Sequence, residues 1–167
     1  MKKIFTVVVC LIFLALFVRG DIFDTRDRGL DSLLGDIDQW AKADPDAFIL
    51  QISQQHNVMV DEVRRAQQEL GLRYADMYMA TALASRVNRP VRDVAVEYKQ
   101  NQGKGWGALA ISMGIKPGSS AFKALKANAR HSVKHMKKVV KAKKRQQKKD
   151  IEKERKLKGK SQGKGQG

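Results

Sequence analysis

The sequence predicts an all-α protein, in which a small irregular helical bundle is followed by a long basic C-terminal helix. Apolar residues recur at the helical spacing of three and four through most of the chain. Asparagine, glycine and proline interrupt these stripes at intervals typical of short helices that end and restart. Charge is the third observation, because residues 123–167 hold 18 Lys and Arg against 3 Asp and Glu, whereas residues 21–122 hold 12 against 14. A near-neutral body is therefore joined to a strongly cationic C-terminal part.

Apolar stripes and turn residues divide the body into about six short helices. The large apolar residues within 30–40 fall on one helical face. Asp44 and Pro45 predict the next helix start, with the aspartate as N-cap and the proline at the first helical position. Residues 72–87 are apolar on more than one side, which predicts a central helix with several neighbours. A further short helix that carries Leu109, Ala110 and Met113 and ends at Gly114 is predicted after a glycine-rich turn.

The C-terminal helix is predicted to be amphipathic only in its first half. Ser120 follows a proline-glycine turn and provides an N-cap signal. An apolar stripe then runs from Phe122 to Val140 and fails beyond it, while Lys, Arg and Glu keep a high helix propensity. We therefore predict a bundle domain over 21–122, a basic helix over 123–158 that is amphipathic to residue 140 and frays beyond it, and a disordered tail over 159–167.

The first twenty residues have the pattern of a secretory signal peptide. Two lysines precede an uncharged, mostly apolar run over 4–18, and a cleavage site is predicted between Gly20 and Asp21. The alternative is an uncleaved membrane anchor, for which this run of 15 residues falls short of the ~20 that a spanning helix needs. The sequence therefore predicts an exported protein, periplasmic or extracellular, with a signal peptide at 1–20.

Little in the sequence indicates an enzyme or a metal site. Cys10 is the only cysteine and lies in the predicted signal peptide, so a cleaved chain has no thiolate ligand and no disulfide. Five carboxylates of the body fall mostly between the apolar stripes and are predicted to lie on solvated faces and at helix starts, namely Asp61, Glu62, Asp76, Asp93 and Glu97. His131 and His135 have zinc-compatible spacing, but neighbouring lysines such as Lys134 would repel a cation. No catalytic residue, small-molecule substrate or cofactor is indicated.

A weak internal repeat runs through the body. Residues 57–63 parallel residues 88–94 at an offset of 31, and each segment combines a helix end, a short turn and a new helix start. Residues 112–117 form a third, looser copy. Convergent turn chemistry and true duplication both explain this pattern.

Two glycine-containing turns flank the short helix near residue 109. The first consists of Gly103, Lys104, Gly105, Trp106 and Gly107, and the second is a Gly-Ile-Lys-Pro-Gly-Ser segment at 114–119. In this combination, over roughly residues 72–126, the chain resembles a group of small exported bacterial proteins without an assigned activity. The resemblance implies an exported, all-helical protein and nothing finer.

The first glycine turn has two possible roles. Glycines before a helix expose backbone N–H groups that can bind phosphate, and Lys104 adds positive charge. The turn nevertheless lacks the spacing of a nucleotide-binding loop, and no strand is predicted before it. We therefore expect a tight structural turn whose Trp106 packs into the core.

A basic segment beside the end of the apolar stripe is the main functional candidate. Its side chains are predicted to lie on all sides of a helix, with few aromatic residues between them. The candidate anion-binding residues are Lys137, Lys138, Lys141, Lys143, Lys144, Arg145, Lys148 and Lys149. Such a segment indicates sequence-independent binding of an anionic polymer. Alternatively, the stripe from Phe122 to Val140 lies on an anionic membrane surface, or the arm only keeps the protein soluble.

The sequence thus predicts an exported, non-enzymatic binding or structural protein whose basic arm contacts anionic polymers or surfaces. The first alternative is a helix-turn-helix DNA-binding protein. In that case residues 108–115 form the first helix and turn, and a recognition helix presents Lys123, Lys126 and Arg130. The predicted signal peptide argues against a chromosomal target. The second alternative is a cell-envelope hydrolase without a recognisable site.

Overall fold

A computed structural model describes residues 23–162 of the chain. The predicted signal peptide and residues 163–167 of the predicted tail lie outside this range. All regular structure between residues 23 and 162 is helical, which confirms the predicted all-α fold. The seven α-helices are α1 (Arg28–Ala41), α2 (Pro45–His56), α3 (Val60–Leu70), α4 (Tyr74–Val87), α5 (Val91–Gln100), α6 (Gly105–Ser112) and α7 (Ser120–Gln162), with a 3-10 turn at Gln102–Lys104 before α6.

The core of the bundle is built around α4. Ten consecutive residues of this helix, from Ala75 to Ala84, are buried. Four helices surround it, since α4 packs against α1, α2, α3 and α5. The apolar character on several sides of residues 72–87 is explained by this position, so the predicted central helix is confirmed.

Three helix ends share one backbone geometry at the positions where the sequence repeats. Asn57, Asn88 and Gly114 all adopt a left-handed conformation, with φ of 54°, 52° and 81°. The residue after each of them donates its N–H to a carbonyl five residues earlier: Val58 to Ser53 (2.9 Å), Arg89 to Ala84 (3.0 Å) and Ile115 to Ala110 (2.8 Å). These bonds satisfy carbonyl groups at each helix end and reverse the chain over a few residues.

The C-terminal helix α7 is packed on the body in its first half and extended in its second. Its apolar stripe is buried against α1 and α2 and ends at Val140. Every side chain from Lys141 to Lys156 is exposed. We call the part of α7 after Val140 the basic arm. The described residues confirm a stripe that ends at residue 140, and α7 therefore contributes to the core well beyond residue 122.

The basic arm is continuous to Gln162 and therefore includes the first four residues of the predicted tail, 159–162. Repulsion between like charges costs about 0.2–0.5 kcal/mol per pair and would oppose the helix. It is countered by the high propensity of Lys, Arg and Glu and by contacts along the helix, such as the ion pair of Lys156 with Glu152.

Removing the basic arm is expected to leave the bundle folded. A chain that ends at Lys141 keeps the whole buried stripe and loses one contact to the body, the Lys143–Asp44 ion pair. A partly exposed pair of this kind contributes about 0–1 kcal/mol. Circular dichroism should show a cooperative helical melt close to that of the full chain. A broad, non-cooperative transition would mean that the arm stabilises the bundle.

Candidate anion-binding surface

Positive charge accumulates on α7 without any acidic residue between Ser120 and Lys149. The apolar stripe occupies the inner side of the helix, toward α1 and α2. Successive residues of a helix are rotated by about 100°, so positions on the outer side can be identified. Up to Lys149, the exposed basic residues on that side are Lys123, Arg130, Lys134, Lys138, Lys141, Lys144, Arg145, Lys148 and Lys149. We call these nine residues the outer band.

The outer band is confined to one side of α7. At 100° per residue its nine members fall within a sector of about 140°, on the side away from the buried stripe. Of the eight predicted residues, Lys137 also falls within this sector, whereas Lys143 lies in the direction of the buried stripe. Three members of the band, Lys123, Arg130 and Lys134, lie outside the predicted set and occupy the body-bound half of the helix. Projecting the whole helix, and not only its end, would have found them.

Two of the eight predicted residues contact the body and do not belong to the outer band. The Nζ of Lys137 lies 3.2 Å from an oxygen of Asp36 and 5.7 Å from the ring centre of Trp40. The Nζ of Lys143 lies 2.9 Å from Asp44, and this hydrogen bond holds the pKa of the Asp44 carboxyl below its usual range. Both lysines are therefore engaged with the body of the protein.

The apolar stripe of α7 is not available to a bilayer in this fold. Phe122, Leu125, Val133, Met136 and Val140 are all at most 6 % exposed. The structure therefore contradicts the alternative in which this stripe lies on a membrane, because the stripe is part of the bundle core. Among the described helices, none combines the length and the apolar character that crossing a membrane requires.

The first glycine turn is a structural element that buries Trp106. The indole is fully buried and stacks on Tyr98, with ring centres 3.8 Å apart and an interplanar angle of 10°. Its Nε1–H donates to an oxygen of Asp76 at 2.8 Å. The predicted burial of Trp106 is confirmed.

The backbone amides of this turn hold the N-terminal segment, residues 23–27. Trp106 and Gly107 donate their N–H groups to the carbonyls of Phe23 (3.1 Å) and Asp24 (2.8 Å). A Cβ on Gly105 would lie 2.5 Å from the Cβ of Asp24, and a Cβ on Gly107 would lie 2.8 Å from the backbone of Thr25. These two amides are therefore already engaged within the protein, and the glycines are explained by the close approach of the segment.

Asp76 lies at a helix start, as predicted, but it is buried and not part of a solvated face. The residue is 3 % exposed and accepts hydrogen bonds from Trp106 and, at 2.8 Å and 3.1 Å, from Arg73. The guanidinium of Arg73 also lies over the ring of Phe23, 4.5 Å from its centre. This cluster links α4, α6 and the N-terminal segment, and its buried charge is balanced within the cluster.

The helix-turn-helix alternative receives little support from the packing. Lys126, one of three predicted DNA-reading residues, donates to both oxygens of Asp27 at 2.8 Å and 3.0 Å. The first turns of α7 also accept a hydrogen bond from the Tyr78 hydroxyl at the Leu125 carbonyl. The start of α7 is thus fixed against the body, with Lys123 and Arg130 exposed at its outer side.

The paired histidines of α7 lie on the surface with their rings 6.4 Å apart. Within residues 23–162, no three His, Cys, Asp or Glu side chains come together as a possible metal site.

Compared with protein-family models, curated proteins and solved structures, the chain has no match. The resemblance carried by the two glycine-containing turns therefore stays a prediction.

Proposed function

We propose that this is an exported, non-enzymatic binding protein whose basic arm contacts anionic polymers through charge. The observation that carries the proposal is the arm itself. Six of the predicted anion-binding residues project from it or from its base and are exposed, with no described carboxylate in ion-pairing contact: Lys138, Lys141, Lys144, Arg145, Lys148 and Lys149. The export is inferred from the first twenty residues of the sequence.

The arrangement favours binding by charge over recognition of a particular sequence. The arm offers no aromatic side chain on which a base could stack. Most of its charge comes from lysine, which acts as a flexible point charge. Arginine, which recognises guanine through two hydrogen bonds, occurs within the arm only at positions 145 and 155. Binding would then be driven by release of counterions from the polymer, which makes the affinity fall steeply with salt.

The arm provides a matched pair of neighbouring lysines for the test. Lys143→Gln removes a lysine that contacts Asp44, whereas Lys144→Gln removes an exposed one. On duplex DNA, each lost phosphate contact flattens the slope of log affinity against log salt by about 0.9. Fluorescence anisotropy on unrelated duplexes should therefore show a flatter slope for Lys144→Gln and little change for Lys143→Gln.

Replacing all six exposed residues by Gln should flatten the slope several-fold while the circular dichroism spectrum stays the same. Heparin and anionic vesicles extend the measurement to other polyanions and to surfaces. Binding to one DNA sequence that is insensitive to salt would contradict the proposal and support a DNA-reading protein. No binding to any anion at low salt would leave the arm as a solubilising extension.

A further inference from the structure

We propose that the binding surface continues from the basic arm onto the bundle along the outer band, and that its partner is a flexible anionic polymer laid lengthwise on α7. The inference rests on the proposed function and adds a partner geometry to it. It also adds three residues that the arm does not contain, Lys123, Arg130 and Lys134.

The outer band is a long and continuous cationic surface. With a rise of about 1.5 Å per residue, Lys123 and Lys149 lie about 39 Å apart along the helix axis. Lys123, Arg130, Lys141 and Lys148 follow one another at spacings of seven or eleven residues, which nearly restore the same helical direction. These four residues thus lie close to a straight line parallel to the axis of α7, and the other five members of the band lie on either side of that line.

The fold separates these residues from the basic residues that contact the body. Lys143 lies on the inner side of the helix, whereas Lys126 and Lys137 lie at the edge of the band's sector. All three lysines differ from the band in their ion pairs, which they form with Asp44, Asp27 and Asp36, respectively. None of the nine outer-band residues has a described carboxylate within ion-pairing distance. The acidic residues of α1 and its flanking turns therefore neutralise these three lysines and leave the charge of the outer band available.

The shape of the band selects the kind of partner. A recognition helix lies within the major groove of a duplex, whereas the docked half of α7 has its inner side against the bundle and presents its exposed basic residues on the outer side only. Helices that bind bilayers insert large apolar side chains, and Ile151 is the one large apolar side chain exposed on the described part of α7. That residue lies outside the sector of the band. A single flexible chain of phosphates can instead follow the band along its length.

The test compares two triple variants that remove the same charge from the body. The first is Lys123→Gln, Arg130→Gln and Lys134→Gln. The control is Arg65→Gln, Arg86→Gln and Lys116→Gln, which are exposed positions outside α7. The probe is oligo(dT), with salt varied. Three phosphate contacts on a single strand contribute about 2 to the slope of log affinity against log salt. Between 1 M and 0.1 M salt, the affinity of the unmodified protein should therefore rise about 100-fold more than that of the first variant. The control should behave like the unmodified protein.

The length of the oligonucleotide gives a second measurement. Affinity for the unmodified protein should rise until the strand spans the band and should then level off. A chain that ends at Lys141 should retain weak binding that depends on Lys123, Arg130 and Lys134. Both results would support a polymer laid along the helix.

The outcomes distinguish this inference from the proposed function. If the six-residue arm variant loses binding but the Lys123, Arg130 and Lys134 variant matches its control, the arm binds alone and the extension is wrong. If neither variant changes any binding, both proposals fail. Tighter binding to anionic vesicles than to oligo(dT) at the same salt concentration would overturn the choice of a flexible polymer.

Discussion

Replacing Trp106 by alanine is expected to lower the free energy of unfolding by about 3–5 kcal/mol. The indole is fully buried and stacks on Tyr98, so its removal leaves a cavity at the junction of α5 and α6. The substitution also deprives the buried Asp76 of one hydrogen-bond donor, and such a loss adds to the cost of the cavity. Urea denaturation followed by circular dichroism measures the change.

The conservative variant Trp106→Phe separates the two contributions. It keeps an aromatic ring against Tyr98 but removes the N–H that donates to Asp76. We expect a loss of about 1–3 kcal/mol, smaller than that of the alanine variant. An unchanged urea midpoint for Trp106→Ala would show that the glycine turn is a surface feature, and its role in anion binding would then need to be reconsidered.

The stability of the bundle is expected to fall as the pH is lowered from 7 to 4, because of His56. Burial lowers the pKa of this imidazole from the usual 6.5 to about 4. Between these values the unfolded chain binds a proton that the folded chain does not bind, so acidification favours unfolding. Above pH 6.5 the imidazole is neutral in both states, and the free energy of unfolding does not depend on its protonation. Below pH 6.5 the free energy of unfolding falls, by about 3 kcal/mol near pH 4.

The environment of His56 explains why the imidazole stays neutral. The residue is 8 % exposed, packs edge-on against Tyr78 and has no described hydrogen-bond partner for Nε2. No carboxylate is described in contact with the ring, so a proton gained there would be a poorly compensated buried charge.

Urea titrations at several pH values between 4 and 7 measure this effect, with His56→Gln as control. The control should show a much weaker pH dependence over the same range, whatever its stability at pH 7. The lowered pKa values of Asp27 and Asp44 act at a different pH. Their stabilisation is present above the usual value of 3.8 and is lost as the pH falls through their folded values. Equal pH dependence with and without His56 would contradict the assignment.

The helices could be predicted because their signals are local. The N-cap of α2, formed by Asp44 with Pro45 at the first helical position, needs only two neighbouring residues. The breadth of the apolar surface on 72–87 likewise identified α4 as central, and the apolar stripe of α7 located its docked half. Each of these features is encoded within one segment of the chain.

Contacts between distant segments could not be predicted in the same way. Asp76 has the sequence environment of a surface carboxylate, and its partner Trp106 is 30 positions away. The docking of residues 23–27 onto the glycine turn also depends on the approach of two distant segments. For the candidate surface, the residue types were found from the sequence, but the ion pairs that separate Lys137 and Lys143 from the outer band required the fold.

The attachment of α7 to the bundle has a consequence for how the protein responds to salt. The pairs of Lys126, Lys137 and Lys143 with their aspartates join residues 99, 101 and 99 positions apart in the sequence. Closing a flexible loop of about 100 residues costs about 4 kcal/mol of conformational entropy beyond a constant term. Partly exposed ion pairs contribute about 0–1 kcal/mol each and weaken with ionic strength, so they alone offset little of that cost.

The buried stripe must therefore hold the helix in place. Burying a Leu, Val, Phe or Met side chain contributes about 1.5–3 kcal/mol to stability. The stripe contains five buried side chains of these types, namely Phe122, Leu125, Val133, Met136 and Val140. This contribution is not screened by ions. A rise in ionic strength would consequently release a bound polymer from the outer side of α7 while its inner side stays docked, and the protein could be unloaded and reloaded without unfolding.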